Sequence, residues 1–546
     1  MQNVFESLPP APLADLLLRG VCSRCILRFF NVRDTGLRHC ISNSSELFFQ
    51  LRPVLVRVMG EERLNGIQEK VNLEQVSKAC KPDGGLPSQT MPRICIVCLG
   101  ILQLYLQDNV HSADDTDTRK SPVISEVTKT VQKEGHKFDS FCLEISIPAL
   151  TFVREHALWC YLNSRYSSEG LFKGADVNER IVPLKESLKH LLVRPLEQLW
   201  NASFDPNSTF RVALFYKHTN SSAELSFLDG LQGSCSKLGC QGKSKCNNVS
   251  KATIGATREN LEYGESLSFV QRSLPSIPLH KFSDHFPWPP PKLDAPCTMT
   301  TRCFCRALYV GGRYLKFSRN ISQSPWMIDD ERKGKSSVQE IIGEKVLLLF
   351  KADGYKFHAA GREDIDVRML GNGRPFLLEI TNARVIPTQS ELTQVEASLN
   401  IIKGEWVKVK GLRHAGIEVF DVMREGEAEK QKEYAAVVWL SRPVSDADFE
   451  KLSSLKELKI EQKTPVRVLH RRSLLTRPRI IHWMSCEKIP GSTQYFLLFL
   501  CSQAGTYIKE FVHGDLGRTY PNIRSLLDCE AEIWQLDVVG VNMEFV

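Results

Sequence analysis

The sequence lacks the features that mark several large classes of protein. It has no apolar run of the roughly 18 residues that a transmembrane helix needs. Residues 1–19 contain Pro9, Pro10, Pro12 and Asp15, whereas a signal peptide has a basic start and an unbroken apolar stretch. Neither Gly-x-Gly-x-x-Gly nor Gly-x-x-x-x-Gly-Lys-Ser/Thr occurs, so no nucleotide-binding loop is indicated. We therefore expect a soluble intracellular protein with no membrane partner.

Regular cysteine pairing is also missing, which speaks against a disulfide scaffold. The chain has 17 cysteines, an odd count that in a reducing compartment favours free thiols and metal ligands. The net charge of +7 is mild for 546 residues, so it permits a polyanionic partner without requiring one. A hydrophobic content of 42% and a charged content of 24% are enough to bury real cores, and the length indicates two or three domains.

Two Cys-x-x-Cys pairs are present, formed by Cys22 with Cys25 and by Cys95 with Cys98. Each pair places two thiolates on one tight turn, and together they supply the four soft ligands of a closed, structural zinc site. The spacer between the pairs is longer than in common zinc ribbons. Other residues of that region are therefore alternative ligands: Cys40, Cys80 and His39. Ordinary buried cysteines are the remaining alternative, but two such pairs are rare by chance, which favours the metal.

The first half of the chain has the pattern of an α/β module. Alternating apolar residues over 141–147 predict a half-buried strand, and a helical pattern follows it through Tyr161. A further helix is predicted over 183–200 and a further strand over 210–216.

Polar and proline-rich stretches divide the chain. Residues 107–137 and 221–260 are predicted to be flexible inserts. The second insert contains three cysteines that fit a basic loop better than a second zinc site, although both remain open: Cys235, Cys240 and Cys246. The proline-rich segment that follows predicts a stiff linker. The expected division is an accessory domain over 1–285, a linker over 286–300 and a second domain over 301–546.

A charge-rich stretch in the second domain is the strongest candidate site. It lies between the apolar runs 346–350 and 376–380, each short enough to be a buried strand. Polar loops between buried strands often carry function, and a solvated turn with incidental ion pairs is the alternative. The charged residues are Arg362, Glu363, Asp364, Asp366 and Arg368.

The amino-acid sequence of this stretch resembles a motif of a known family. Gly361-Arg-Glu-Asp364 is similar to the Gly/Ser-Arg-Thr-Asp signature of pseudouridine synthases. Its extension through Gly-Arg-Pro-Phe376 resembles the archaeal and eukaryotic tRNA pseudouridine synthases of the Pus-ten type. Two further matches follow in the expected order, over residues 432–440 and 505–517. The two cysteine pairs also match paired Cys-x-x-Cys motifs of this family.

The resemblance implies an α+β architecture. Its C-terminal part would have the pseudouridine synthase fold, built on a mixed antiparallel sheet with helices. Its N-terminal part would be an α/β accessory RNA-binding domain that holds one structural zinc. The implied activity is isomerisation of uridine to pseudouridine in the TΨC arm of tRNA, at position fifty-four, fifty-five or both, without an organic cofactor. We expect tRNA as the partner, leave other structured RNA open, and expect a monomer in nucleus and cytoplasm.

The resemblance also assigns roles to residues. Asp364 is the implied catalytic carboxylate, and Lys509, on a helix predicted within 505–517, is its cation. Asp366 lies two residues further on, and in a locally extended chain we expect its side chain to face the other way. The implied substrate-binding residues include Tyr434, which would stack on the flipped uracil, and Tyr507 and Arg362.

A basic stripe without acids lies between Gln462 and Cys486 and predicts phosphate binding. Alternation with apolar residues suggests strands, and a solvated face without a ligand is the alternative. The stripe contains Lys463, Arg467, Arg471, Arg472, Arg477 and Arg479. We expect Arg471 and Arg472 to contact the substrate. Residues 318–326 resemble another family motif, which either approaches the RNA or forms a loop anchored by Trp326.

Two other functions remain as alternatives at this point. One is a non-catalytic RNA-binding or scaffold protein that keeps the fold, against which the intact Asp364, Tyr434 and Lys509 argue. The other is a different tRNA-modifying enzyme, such as a methyltransferase or thiouridylase, which would need a nucleotide loop that the sequence lacks.

Overall fold

A computed structural model gives the structure of the chain. The chain divides into two units, Met1–Phe304 and Cys305–Val546. The structure describes residues 5, 7–33, 52–53, 55–57, 60–61, 94–104, 121–169, 172, 180–219, 224–226, 270–271, 273–274, 277, 279–328, 330–470 and 472–543.

The first unit combines helices with a small sheet. Its four strands lie in the order β2-β1-β3-β4, and β1 is parallel to both β2 and β3. The helices are α1 (Pro10–Leu18), α2 (Ser23–Phe29), α3 (Pro122–Glu134), α4 (Leu150–Tyr166, followed by a 3-10 turn at Ser167–Glu169), α5 (Leu184–Trp200) and α6 (Leu279–His285). The strands are β1 (Ser140–Ser146), β2 (Ser203–Phe204), β3 (Phe210–Lys217) and β4 (Thr298–Cys305).

The predicted strands and helices of the α/β module are confirmed in β1, α4, α5 and β3. Two other expectations for this unit are wrong: a flexible insert throughout 107–137 and a free linker over 286–300. Helix α3 occupies residues predicted to be a flexible insert, because Pro122 is set at its first turn and apolar residues at helical spacing bury one face. Residues 107–120 of that insert, and the cysteines of the second insert, lie outside the described residues.

The proline-rich segment is packed rather than free. Phe286 and Cys297 are part of the core of the first unit, and Trp288 and Leu293 pack against that core. The linker expected over 286–300 is therefore a built part of the first unit. Apolar side chains between the prolines explain this outcome, because their burial lowers the free energy relative to a linker in which they stay exposed to water.

The second unit is built on a ten-stranded sheet. Nine strands follow the order β12-β5-β11-β18-β13-β16-β15-β14-β17, and β10 pairs with β11. The ten strands of this sheet are β5 (Leu308–Lys316), β10 (Gly354–Ala359), β11 (Arg368–Thr381), β12 (Val407–Ala415), β13 (Lys432–Leu440), β14 (Lys456–Lys463), β15 (Thr476–Lys488), β16 (Tyr495–Ser502), β17 (Thr519–Tyr520) and β18 (Ala531–Val541). Four short strands form two separate pairs: β6 (Ile321–Ser322) with β9 (Ser336–Ser337), and β7 (Met327–Ile328) with β8 (Glu331–Arg332). The helices are α7 (Val338–Phe350), α8 (Gln389–Ile402), α9 (Glu418–Glu429), α10 (Asp446–Ser454), α11 (Ile508–His513) and α12 (Ile523–Leu527), with 3-10 turns at Val466–Val468 and Asp515–Gly517.

Pairing in this sheet is mainly antiparallel, with one short parallel contact between β11 and β18. The expected α+β class with a mixed antiparallel sheet is therefore confirmed. Within the described ranges, none of the helices combines the length and apolarity that a bilayer span would need.

Three local predictions for the second unit are corrected. The apolar run 346–350 is the end of α7, not a strand: Ser337 caps this helix by accepting a hydrogen bond from the backbone N–H of Glu340. The run 376–380 is a strand, inside β11, as predicted. The basic stripe is not strand throughout, since Val466–Val468 is a 3-10 turn, and the helix expected over 505–517 is limited to α11.

Candidate active site

The loop that carries Asp364 joins β10 to β11, and its main chain is held by a buried lysine. Lys316, at the end of β5, is fully buried. Its Nζ donates to the carbonyls of Ile321 at 2.7 Å, Asp364 at 3.1 Å and Ile365 at 2.9 Å. Burial lowers the pKa of Lys316 to about 8, partly opposed by the carboxylates of Glu363, Asp366 and Asp364.

Two residues of the 318–326 motif hold other carbonyls of the same loop. Gln323 Nε2 donates to the Gly361 carbonyl at 2.8 Å, and Arg319 Nη1 donates to the Asp366 carbonyl at 2.8 Å. Trp326 is 38% exposed, so it does not anchor the motif. The motif therefore holds the main chain of the loop in place through hydrogen bonds to its carbonyls, a role that the sequence did not indicate.

Glu363, next to Asp364, points inward and forms a buried ion pair. Its Oε2 accepts from Arg374 Nε at 2.8 Å, and both side chains are almost completely buried. The Tyr314 hydroxyl donates to the same carboxylate at 2.9 Å. Removing one partner of such a pair leaves an uncompensated buried charge, which makes the pair a firm anchor for the loop. Of the two adjacent acids, only Asp364 is thus available to a ligand.

The Asp364 carboxylate is partly exposed and lies beside two cations. Its side chain is 36% exposed. Arg467 Nη1 donates to its Oδ2 at 2.9 Å, and Lys509 Nζ lies 3.5 Å from the same oxygen. Lys509 was the expected partner. Arg467, 103 residues away in the basic stripe, was expected to bind phosphate and was missed as a partner of Asp364.

Asp366 does not face away from Asp364, so that expectation is wrong. The backbone N–H of Val367 donates to the Asp364 carbonyl at 3.1 Å, which closes a turn in place of an extended chain. Lys509 Nζ therefore also reaches Asp366, at 2.7 Å. Burial opposes ionisation of Asp366, but the hydrogen bond and charge of Lys509 outweigh it and lower the pKa of this carboxyl.

Arg467 is itself held from behind. Its Nε donates to Glu510 Oε1 at 2.6 Å, and the Glu510 side chain is 1% exposed. The guanidinium carbon lies 5.8 Å from the centroid of the Tyr507 ring. Gln462 fixes the backbone of Tyr507, since its Oε1 accepts from the Tyr507 N–H and its Nε2 donates to the Tyr507 carbonyl, both at 2.9 Å. Tyr507 is thus brought to the site by α11 and β14.

Tyr434 lies on β13, half-buried. Burial raises its pKa to about 12, against the nearby Arg374 guanidinium and a hydrogen bond with Ser502. Tyr434 is therefore near Arg374, the partner of Glu363.

The remaining predicted substrate contacts are arginines. Arg362 and Arg472 are exposed, and Arg471 lies outside the described residues. Farther along the stripe, Arg479 Nε donates to the Gly505 carbonyl at 3.3 Å. Arg362 and Arg472 therefore have the accessibility that phosphate binding requires.

The four cysteines of the two pairs meet in the first unit. Cys22, Cys25, Cys95 and Cys98 are all buried, and their sulfur atoms lie within 4.8 Å of one another. Cys22 Sγ and Cys98 Sγ are 3.9 Å apart. Tetrahedral zinc with Zn–S bonds of about 2.3 Å requires sulfur atoms about 3.8 Å apart, so this cluster fits such an ion. The alternative ligands Cys40, Cys80 and His39 lie outside the described residues.

Hydrogen-bond donors surround the cluster and act against the cost of burying its thiolates. Burial raises the pKa of Cys25 and Cys98. Burial also works against ionisation of Cys95, but hydrogen bonds from its three cysteine neighbours outweigh it and lower that pKa. The Cys22 N–H donates to Cys95 Sγ at 3.3 Å, and the buried Arg28 donates to Cys25 Sγ at 3.6 Å. Such donors stabilise sulfur atoms in their thiolate form.

Buried arginines tie the cluster into the first unit. Arg28 donates to Glu155 at 2.7 Å and to the Val182 carbonyl at 2.7 Å. Arg154 donates to the Ile96 carbonyl, between the second pair of cysteines, at 3.0 Å and to the Pro291 carbonyl at 2.9 Å. The cluster therefore joins segments that are distant in sequence.

Comparison with known proteins gives the following matches. Residues 309–542 match a family model described as "Pus10, C-terminal", and residues 95–303 match one described as "Eukaryotic Pus10, N-terminal". The chain is 34% identical to "tRNA pseudouridine synthase Pus10" from Homo sapiens, covering 98% of this chain and 97% of that one. It is 39% identical to a protein of the same name from Thermofilum pendens, over 43% of this chain and 52% of that one.

Among solved structures, one titled "Crystal Structure of a Cbf5-Nop10-Gar1 Complex" aligns with 42% of this chain and 47% of that chain. The identity is 17% and the TM-score is 0.24.

Proposed function

This chain belongs to the Pus10 family of tRNA pseudouridine synthases, and from that premise we propose that it acts on uridine in the TΨC arm of tRNA with Asp364 as its catalytic carboxylate. The reaction breaks the C1′–N1 bond of uridine, rotates the uracil and forms a C1′–C5 bond. Oxidation states balance without a redox partner, and the C5 hydrogen leaves as a proton. A single carboxylate can serve, either as a nucleophile at C1′ or as the base that takes the C2′ proton.

One observation carries this proposal. The Asp364 carboxylate is presented at the surface between Arg467 and Lys509, while the carbonyl of the same residue is held by the buried Lys316. The two cations hold the carboxylate in a defined position, which either mechanism needs. The fixed main chain keeps the carboxylate in place, so less reorganisation is required when the ribose arrives.

Aromatic side chains supply the second requirement, a site for the uracil after it leaves the base stack. Tyr507 lies beside Arg467, and Tyr434 lies on the strand that pairs with β18. A flipped base needs a flat apolar partner, and we propose Tyr434 for this contact with Tyr507 at its edge.

For the first unit we propose a structural zinc in an accessory RNA-binding domain. Cys22, Cys25, Cys95 and Cys98 would hold the ion, which when bound supplies only cross-links between distant segments. The closed set of four thiols leaves no position for a substrate, so the zinc has no place in the isomerisation.

Tritium release tests the proposed function directly. Each turnover replaces the C5 hydrogen of the target uridine, so tRNA labelled at C5 of uridine should release one tritium for each pseudouridine formed. A non-catalytic RNA-binding protein would bind the labelled tRNA without release. Absence of release at saturating tRNA, with binding intact, would rule out the proposed catalysis.

The two cations beside Asp364 are expected to contribute to turnover separately. Arg467→Ala should slow single-turnover pseudouridine formation more than Lys509→Ala, because Arg467 makes the closer contact with Asp364, whereas Lys509 is shared with Asp366. We expect losses on the order of 10-fold to 100-fold, the size of one charged hydrogen bond.

The control for the cation variants is Arg524→Ala, which breaks an exposed ion pair with Glu530 away from the loop. This variant should keep the wild-type rate, since exposed pairs contribute little. Wild-type rates in both Arg467→Ala and Lys509→Ala would remove the cations from the mechanism.

The basic stripe is expected to act on affinity rather than chemistry. Replacing Arg471 and Arg472 together by alanine should flatten the slope of log affinity against log salt by up to about 0.9 unit for each lost phosphate contact. The rate on saturating tRNA should persist. Lys345→Ala with Lys351→Ala removes the same charge from α7 and its end, where both side chains are exposed, and should leave the slope unchanged. Equal slopes for the wild type and the arginine variant would contradict phosphate binding there.

A further inference from the structure

A bulge in β18 aims a tryptophan away from the sheet. In the pairing of β18 with β13, Val437 is opposite Gln535 and Val438 is opposite Ile533. Trp534 between them has no partner in β13, which is the arrangement of a β-bulge. Bulges commonly re-aim a side chain next to a functional site. The Trp534 side chain is 70% exposed, an unusual position for so large an apolar ring.

Other aromatic residues lie beside it on the same face of the sheet. The Tyr495 and Trp534 ring centroids are 6.2 Å apart, with the rings nearly perpendicular. Trp439 of β13, which is half-buried, pairs with Tyr495 on one side and with Glu532 on the other. Trp439, Tyr495 and Trp534 therefore form a partly exposed aromatic patch that spans three neighbouring strands.

The aromatic patch is continuous with the Asp364 loop. Gln535 and Asp537 lie on the same face of β18, because the side chains of residues two apart in a strand point the same way. Arg319 contacts both of them, at 3.2 Å and 2.7 Å, and also donates to the Asp366 carbonyl. Trp534 precedes Asp537 by three residues, about 10 Å along the strand. The patch therefore lies within reach of nucleotides that flank a uridine bound at Asp364.

The charges around the patch select the part of the nucleic acid that can bind there. Glu532 is exposed beside Trp439, and Glu487 is exposed on β15, so the patch does not attract phosphates. Exposed aromatic rings instead stack on the faces of unpaired bases, which carry no charge. Such stacking depends little on the nucleotide sequence.

Resting on the proposed function, we infer that Trp534, supported by Tyr495 and Trp439, stacks on an unpaired base of the RNA substrate next to the target uridine. The contact is positional rather than catalytic, since the proposed stacking is on a neighbouring base and not on the target uridine. It contributes affinity and sets the strand's position, while the basic stripe supplies the salt-dependent contacts.

The test measures binding of an unmodified tRNA transcript to the full chain carrying Asp364→Ala, so that no turnover occurs. Adding Trp534→Ala should weaken binding about tenfold, the size of one stacked base, with no change in the salt slope. Trp534→Phe should recover most of the loss. Ile401→Ala, which shortens an 84% exposed side chain on α8, should bind as tightly as the parent chain.

Single-turnover kinetics separate this role from a general structural one. In the chain with Asp364 intact, Trp534→Ala should raise the half-saturating tRNA concentration about tenfold and leave the saturating rate unchanged. Unaltered affinity in Trp534→Ala would overturn the inference and indicate a different occupant, such as a protein. A changed salt slope would overturn it too, because the ring would then act through phosphates. Failure of the parent chain to bind tRNA would reject the proposed function along with the inference.

Discussion

Replacing Asp364 by alanine is expected to abolish pseudouridine formation and to leave tRNA affinity at or above its wild-type level. The variant loses the only group proposed to act as nucleophile or base, so the rate should fall on the order of 10⁴-fold or more. The substitution adds no clash at a side chain that is 36% exposed. It also removes a negative charge near a surface expected to meet phosphates. Single-turnover tritium release and equilibrium binding on the same tRNA measure the two quantities.

Asp366→Ala is the matched control for this prediction. It removes a carboxylate from the same turn and the closer acidic partner of Lys509, at 2.7 Å. Turnover should be reduced but readily measured, because Arg467 still holds Asp364 at 2.9 Å. An inactive Asp366→Ala together with an active Asp364→Ala would move the catalytic assignment by two residues and overturn ours.

Removing the metal is expected to have the largest effect on stability. Structural zinc sites contribute on the order of 10–16 kcal/mol, comparable to the whole stability of a domain. Cys95→Ser should therefore unfold much of the first unit and make it sensitive to limited proteolysis. The core of the second unit consists of its own residues, from Cys305 onward, so its fragment should resist digestion. Elemental analysis of the wild-type protein should give one zinc per chain.

Cys160→Ala is the control for the cysteine variant. Cys160 is buried in α4 outside the four-cysteine cluster, so its loss should cost little and leave the zinc content at one per chain. A wild-type protein that is fully folded without metal, or a Cys95→Ser protein that resists proteolysis as the wild type does, would refute the structural zinc.

Family membership and the broad architecture were accessible from the sequence. Three ordered motifs gave the family, which the comparisons confirm, and residues such as Phe376 lie in a strand as their apolar run predicted. The other apolar run, 346–350, was wrongly predicted to be a strand, because a short apolar run has the same composition in a buried strand and in the last turns of a helix. The cap at Ser337, nine residues upstream of that run, was the available signal for a helix.

The detailed site was less accessible, because it depends on burial and on contacts between distant segments. Glu363 and Asp364 are adjacent acids, and only folding shows that the first is buried against Arg374 while the second is exposed. Arg467 reads as one more basic residue in a stripe, yet its guanidinium is occupied by Asp364 and Glu510. Nothing in the sequence marks Lys316 as the residue that holds the Asp364 carbonyl.

Mapping pseudouridine by mass spectrometry in an unmodified tRNA transcript tests the central claim most directly. The transcript would be incubated with the wild-type chain, with Asp364→Ala and with Asp366→Ala, so no other enzyme can supply the modification. We predict pseudouridine in the TΨC arm, at position fifty-four, fifty-five or both, with the wild type and Asp366→Ala, and none with Asp364→Ala. Pseudouridine formed by Asp364→Ala, or a wild-type product only outside the TΨC arm, would contradict this account.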